Sequence, residues 1–341
     1  MHIIHANLAK GFRGGERQTV LLIKELAANA NISRQTLVCQ PDSPMRGELS
    51  GVPKLRIVAA KHQLMGHHAT GKAKIVHAHE AKAVHWAWLH RVLYKSEYII
   101  TRRVDTPIKR KPTNLIFYKK AHSCVAISNI IANELTSLTS KHIPIIPSAF
   151  TPSSPSLEIA QSLKHQYPGR FIIGHIGAVV DRHKGQRILI EAAELLEKEY
   201  PELLFIFFGK GEDESALRKE SSHLSNVKWM GFKSNILDYI EAFDLFAFPS
   251  RNEGLGSILL DVMNAKVPII ASNTGGIPDI VKHQKTGILV QPDNARAFKE
   301  AIVMLYKDED LANHISENAF LRLKKYSSKS MADSYLNIYL K

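Results

Sequence analysis

The chain has 341 residues, 45% of them hydrophobic and 23% charged. That profile fits a soluble globular protein of about two domains and excludes a disordered or fibrous chain; no apolar run approaches the roughly 18 residues of a spanning helix, and the apolar run in MHIIHANLAKG is too short for a secretory leader. The net charge of +13 is one-sided: residues 1–150 hold 22 Lys and Arg against 8 Asp and Glu, a net +14, while the remainder holds 23 against 24, a net −1.

A one-sided basic field favours an anionic partner, such as acidic membrane, phosphorylated glycolipid or nucleic acid. The plainer alternative is a contribution to solubility. Cys39 and Cys124 lie far apart and in no metal-ligand spacing, so buried reduced thiols in a cytoplasmic protein are expected.

In chain order, a first strand over residues 2–6 runs into GFRGGERQTV (11–20), a Gly-rich turn that opens a helix over 15–29. It lacks the GxGxxG spacing of a dinucleotide fingerprint. Strands follow at 35–39 and 74–78. The second ends in His77-Ala-His79, whose spacing puts both rings on one strand face. Two histidines could start a metal site, but no third ligand follows with persuasive spacing, so no metal is expected. A helix is predicted over 81–94 and a strand over 97–101. Strands at 123–127 and 143–146 and a helix over 128–139 complete the half. Arg102, Arg103, Lys109, Arg110, Lys111, Lys119 and Lys120 form the densest basic cluster of the chain. It is either a solvated face or a surface for an anionic acceptor.

PSAFTPSSPS (147–156) has three prolines and four serines in ten residues and reads as a linker. Beyond it, strands are predicted at 171–176, 203–208, 244–248, 267–270 and 287–290, with helices over 186–200, 213–222, 234–242, 255–265 and 295–306. FIIGHI and LLFIFF do not alternate, as expected of strands buried on both faces. Strand–helix alternation argues for parallel sheets covered by helices. A last amphipathic helix is expected within 326–341.

Residues 249–290 carry the chemistry. They read as strand, Gly-rich turn, helix, strand, and a second Gly-rich turn into a helix. Open α/β sheets bind ligands at the carboxyl ends of their strands, where both turns lie. Helix N-termini at 254–256 and 275–277 would favour an anion. Glu253 leads the first turn and Asp261 follows eight residues on, a spacing suited to the two ends of a long ligand. Upstream, Arg182 and Lys184 in GHIGAVVDRHKGQ (174–186) can reach an anion beside a strand end.

This stretch resembles the signature of retaining glycosyltransferases of family 4: P-S-x-x-E-G-x-G, then P-V-I-A-S and G-G-x-P-E. The family's E-x7-E motif stands here as Glu253 and Asp261. The resemblance implies a GT-B fold of two facing Rossmann-like domains, with parallel sheets and an interdomain cleft. The domains would be 1–150 for the acceptor, 151–325 for the nucleotide sugar, and 326–341 as a helix packing back on the first. It implies catalytic roles for Glu253, Lys184 and His79, the last as the polar residue facing the donor sugar. Donor contacts would come from Gly15, Arg182, Gly209, Gly211, Gly254, Leu255, Gly256, Asp261, Gly275 and Gly276. The family's usual Arg after the glycine is Ala178 here, with Arg182 as its substitute from another position. Arg102, Arg103, Lys109 and Arg110 would hold the acceptor.

The expected activity is retaining transfer of a hexose or heptose from a nucleoside-diphosphate sugar to an anionic glycan or glycolipid, in lipopolysaccharide core biosynthesis for example. The enzyme would need no cofactor or metal and would work in the cytoplasm, peripherally at the inner membrane face, with no nucleic acid partner. The alternatives are another GT-B enzyme, such as a sugar-nucleotide epimerase, or an inactive protein binding anionic membrane or nucleic acid.

Overall fold

The computed structural model describes residues 1–152 and 155–341; residues 153 and 154, inside the predicted linker, lie outside the described ones. The chain divides into two compact units, Met1–Thr151 with Tyr326–Lys341, and Pro152–Lys325.

The first unit opens with β1 (His2–Asn7), α1 (Gly14–Ala27), β2 (Arg34–Cys39), α2 (Met45–Glu48), β3 (Leu55–Ala59) and α3 (His67–Thr70). It continues with β4 (Ile75–Ala78), α4 (Ala81–Tyr94), β5 (Glu97–Arg102), α5 (Pro112–Lys120), β6 (Ser123–Ala126) and α6 (Asn129–Thr136). The second unit runs through α7 (Leu157–Gln166), β7 (Phe171–Ile176), α8 (Asp181–Lys184), α9 (Gln186–Leu196), β8 (Leu203–Phe208), α10 (Glu214–Glu220) and β9 (Val227–Gly231). It then adds α11 (Leu237–Ile240), β10 (Leu245–Phe248), α12 (Ile258–Asn264), β11 (Ile269–Ser272), α13 (Ile277–Ile280), β12 (Ile288–Val290), α14 (Ala295–Lys307) and α15 (Glu309–Arg322). A 3-10 turn leads to α16 (Ser328–Leu340), which returns to the first unit.

Each unit holds one six-stranded sheet, in the orders β3-β2-β1-β4-β5-β6 and β12-β11-β10-β7-β8-β9, and the pairings are parallel. Both orders reverse direction at the centre, between β1 and β4 and between β7 and β10. Chains leaving those strands diverge there and open a crevice at the carboxyl ends. Every residue of β8 is buried, because helices cover both faces of the sheet. The core of the second unit joins Phe205 and Phe207 of β8 to Leu189 of α9 and Phe298 of α14. In the first, Ile3 of β1 and Leu22 and Leu26 of α1 meet Tyr335, Leu336 and Tyr339 of α16.

The strand predicted at 143–146 is reduced to one bridge between Ala126 and Ile145, since Pro144 has no N–H for a ladder. The strand predicted at 267–270 starts after Pro268 for the same reason. The helix predicted over 255–265 begins only at Ile258, because Gly256 takes φ +81°. β3, β9, α5, α7 and α15 are not among the predicted elements, nor are the single-turn helices α2, α3 and α8.

Candidate active site

In the second unit the crevice strands are β7 and β10. After β7 the chain makes the single turn α8 and reaches Lys184; after β10 it makes the turn containing Glu253. Lys184 Nζ donates to Glu253 Oε2, with the two side chains only 23% and 16% exposed. The ammonium also lies 5.5 Å from the Phe248 ring centroid. A mostly desolvated ion pair at strand ends is costly to build and gains its worth from what it can orient.

Close backbone contacts hold that turn. Gly276 N–H donates to the Glu253 carbonyl at 2.8 Å. A Cβ on Gly275 would lie 2.0 Å from the same carbonyl oxygen, so only glycine permits the approach. The two Gly-rich turns thus interlock, and Gly254, Leu255 and Gly256 are buried between neighbours. The predicted helix N-termini at 254–256 and 275–277 need correction. The first glycine turn lies outside α12, and α13 is a single turn. Asp261 sits within α12, 9% exposed. In the loop after β8, a Cβ on Gly209 would lie 1.8 Å from the Gly177 carbonyl oxygen. Gly211 sits equally close over Val179, so this loop rests on the one leading to Lys184.

Arg182 does not join Lys184. It is exposed and pairs with Glu212 at 3.2 Å, on the wall of a charged cavity of about 400 Å³ that also contains Asp181, Arg187, Asp213 and Arg251. Sequence reasoning missed Arg251, which bridges Asp181 and Asp293, and His175 in FIIGHI. His175 is buried on β7, donates from Nδ1 to the Ala247 carbonyl at 3.0 Å, and burial lowers its pKa to about 4. The signal for His175 was present, as the polar residue inside an otherwise apolar strand.

In the first unit the crevice lies between β1 and β4. His77 pairs across the ladder with His5 of β1, a residue that sequence reasoning did not single out. The His77 and His79 rings are tilted by 33° with centroids 3.8 Å apart, and His5 Nδ1 lies 3.1 Å from His79 Nε2. Ring nitrogens of the three lie within 4.8 Å of one another, the one such group found among the described residues. A span of that size suits a transition metal. However, both nitrogens of His77 are already engaged, Nδ1 with the Tyr339 hydroxyl at 2.6 Å and Nε2 with Thr101 Oγ1 at 2.7 Å. Burial, then the neighbouring charges of His77, His5 and Arg103, keeps the His79 pKa well below its ordinary value.

The basic cluster divides. Lys109, Arg110, Lys111, Lys119 and Lys120 are exposed. Arg102 is buried, donating to the Thr106 carbonyl, which corrects its reading as an acceptor-surface residue: β5 includes Arg102 and turns it inward. The Arg103 guanidinium nitrogens are shut off from solvent without a hydrogen-bond partner. Gly15, in the first turn of α1, lies beside the Arg103 stem, with 3.5 Å from its ideal Cβ position to Cδ. An Asp-x-Asp triplet, Asp308 to Asp310, opens α15, where Asp308 caps the helix through Leu311 N–H at 2.9 Å.

Residues 161–322 match the family model of glycosyl transferases group 1. Over 348 residues the chain is 24% identical to the lipopolysaccharide core biosynthesis glycosyltransferase LpsE of Rhizobium meliloti (strain 1021), covering 99% of this chain and 98% of that one. It spans about half the length of several other curated relatives. Among solved structures, Anabaena Alr3699/HepE in complex with UDP-glucose is similar with a TM-score of 0.86 and 19% identity, over 99% of this chain and 98% of that chain. The lipopolysaccharide outer core galactosyltransferase WaaB in its apo form has a TM-score of 0.75 and 16% identity, over 100% and 99%. The fold is GT-B. Among the described residues, no helix is long and apolar enough to cross a membrane.

Proposed function

We propose that this GT-B glycosyltransferase is a retaining enzyme of family 4 that moves a hexose or heptose from a nucleoside-diphosphate sugar to an anionic glycan or glycolipid of a lipopolysaccharide core. The observation that carries the reading is the Lys184–Glu253 pair, held at the crevice of the second unit by two interlocked glycine turns within the segment that matches group 1 glycosyl transferases. The end-to-end similarity to LpsE supports the acceptor class, and the UDP-glucose complex of HepE supports the donor class.

Bond cleavage leaves charge on the departing diphosphate. Lys184 is the cation available to meet it, and Glu253 turns that ammonium and accepts hydrogen bonds from sugar hydroxyls. Asp261 accepts from the ribose, with backbone of the 209–211 and 275–276 turns lining the donor. The exposed lysines and arginines around Lys109–Lys120 steer an acidic acceptor at the inner membrane face. No step requires a metal or a further cofactor.

The test is nucleoside diphosphate release from a panel of UDP-, GDP- and ADP-sugars, with and without lipopolysaccharide core. Anomeric analysis of the product follows, and retained turnover in EDTA is expected. Failure of every donor to shift the melting temperature would overturn the reading, since a ligand at 100 times its Kd adds about 2.7 kcal/mol.

A further inference from the structure

Arg251, two residues before Glu253, grips the loop of Lys184 in two places. Its amide and that of Asn252 donate to one oxygen, the His183 carbonyl, at 2.8 and 3.2 Å. That carbonyl belongs to the peptide bond leading into Lys184. The guanidinium reaches further back, donating from Nη1 to the Asp181 carbonyl and standing 3.1 Å from Asp181 Oδ2. The same Asp181 carbonyl accepts the Gly185 N–H at 2.8 Å, the bond that closes α8 just beyond Lys184. Arg251 thus holds the lysine's loop on both sides of the lysine. The two loops also touch along their backbones: a Cβ on Gly185 would lie 2.3 Å from the Pro249 carbonyl oxygen.

Asp181 is the fixed end of this link. Its side chain is only 9% exposed. Oδ1 accepts the Arg187 N–H at 2.8 Å and Oδ2 accepts from Arg187 Nη1 at 2.7 Å, while its own N–H goes to Asp213 Oδ2 at 2.8 Å. Arg187 opens α9, whose Leu189 and Ala192 lie in the core of the unit. At its outer end Arg251 donates from Nε to Asp293, a side chain 59% exposed, where an ion pair contributes little. A planar guanidinium can serve all three acceptors at fixed angles, which an ammonium on a flexible stem cannot. We propose that Arg251 is a positioning residue for transfer: its link to Asp181 sets the register of Lys184 against Glu253. The catalytic half rests on the transferase reading above; the coupling of the two loops does not.

The experiment has two readouts. In the free protein, reductive methylation followed by peptide mass spectrometry gives the reaction rate of each lysine amine, with exposed Lys219 as internal standard. Lys184, bonded to Glu253 and 23% exposed, should react slowly in the wild type. Arg251→Gln and Asp181→Asn should each raise its rate toward that of Lys219. The double variant should go no further than the faster single, since both changes remove one link. Arg251→Lys, a milder change that keeps the charge without the fork, should fall between. Asp293→Asn should leave the Lys184 rate unchanged. A wild-type Lys184 rate in both Arg251 variants, a double variant in which the two single effects multiply, or an equal rise in Asp293→Asn would each overturn the proposal. The second readout is UDP release from UDP-glucose. In Arg251→Gln kcat should fall about tenfold to a hundredfold, the scale of a small misplacement of reacting groups, with a smaller change in KM. A lowered melting temperature with normal kcat would make Arg251 merely structural and overturn the positioning role. If the wild type releases no UDP from UDP-glucose, the donor reading fails by itself, and the labelling still decides whether Arg251 couples the two loops.

Discussion

Lys184 and Glu253 are 69 residues apart in sequence yet share a hydrogen bond between ammonium and carboxylate at the ends of two adjacent strands. The pair explains why two glycine turns are built around one carbonyl. Rotation of Glu253 would release the lysine, and the Gly276 N–H holds its backbone by donating to the Glu253 carbonyl.

Glu253→Ala should abolish transfer while leaving the fold intact. Loss of a positioned charge in a site of this kind costs about 2.7–4 kcal/mol of barrier, a fall in kcat on the order of a hundredfold to a thousandfold. Lys184 keeps partial access to solvent, so the freed ammonium can hydrate and the melting temperature should change little. Turnover of the variant with the donor that stabilises the wild type checks this, and undiminished kcat would remove Glu253 from the chemistry.

Gly275→Ala should cost both stability and activity. Gly275 has φ +57°, and its added Cβ would lie 2.0 Å from the Glu253 carbonyl oxygen. Gly169→Ala is the control: φ is +69° but nothing lies within 4 Å of the new Cβ. Backbone strain alone is worth about 1–2 kcal/mol, and only the Gly275 variant must also move the catalytic turn. A larger melting shift in Gly275→Ala than in Gly169→Ala, with activity lost in Gly275→Ala alone, is expected; equal activity in both would show that the approach does not position Glu253.

Much of this was legible because strong physical signals were local. Buried parallel strands such as FIIGHI and LLFIFF are apolar throughout, so the alternation of elements showed in the sequence. Glycines that permit contact with a neighbouring backbone stand out wherever two cluster, as at Gly275 and Gly276. What stayed hidden was set by register across the sheet. His5 meets His79 only because β1 lies beside β4, and nothing in MHIIHAN signals a partner more than 70 residues away. Arg102 and Arg103 read as surface charge for a similar reason. Their charge is visible in sequence, but the inward turn at the end of β5 is not.

Acid should destabilise the protein from about pH 6.5 downwards. His5, His90 and His175 are buried, and burial lowers each pKa from 6.5 to about 4. Below pH 6.5 the unfolded chain takes up these protons while the folded chain does not, so stability falls as pH drops and stops falling for these groups near pH 4. A shift of that size corresponds to on the order of 3 kcal/mol per site. Urea midpoints measured from pH 8 to pH 4 should decline mainly below pH 6.5, and His175→Gln should flatten the decline. A midpoint constant between pH 6.5 and pH 5 would contradict the neutral burial of these rings.

The exposed part of the basic cluster should matter for an acidic acceptor and not for folding. Lys109, Arg110 and Lys111 are open to solvent, whereas Arg102 is turned inward and donates to the Thr106 carbonyl. Reversing Lys109, Arg110 and Lys111 to Glu should weaken binding to anionic liposomes and slow use of an anionic acceptor. It should leave the melting temperature and nucleoside diphosphate binding nearly unchanged. Rising salt should mimic the variant, because exposed charges are screened over about 8 Å at physiological ionic strength. Arg102→Ala should behave in the opposite way, lowering the melting temperature by leaving its carbonyl partner unbonded, a loss worth about 1–3 kcal/mol. If the triple reversal binds anionic liposomes as well as the wild type at low salt, the cluster is a solvated face, and the acceptor must be recognised by uncharged groups instead.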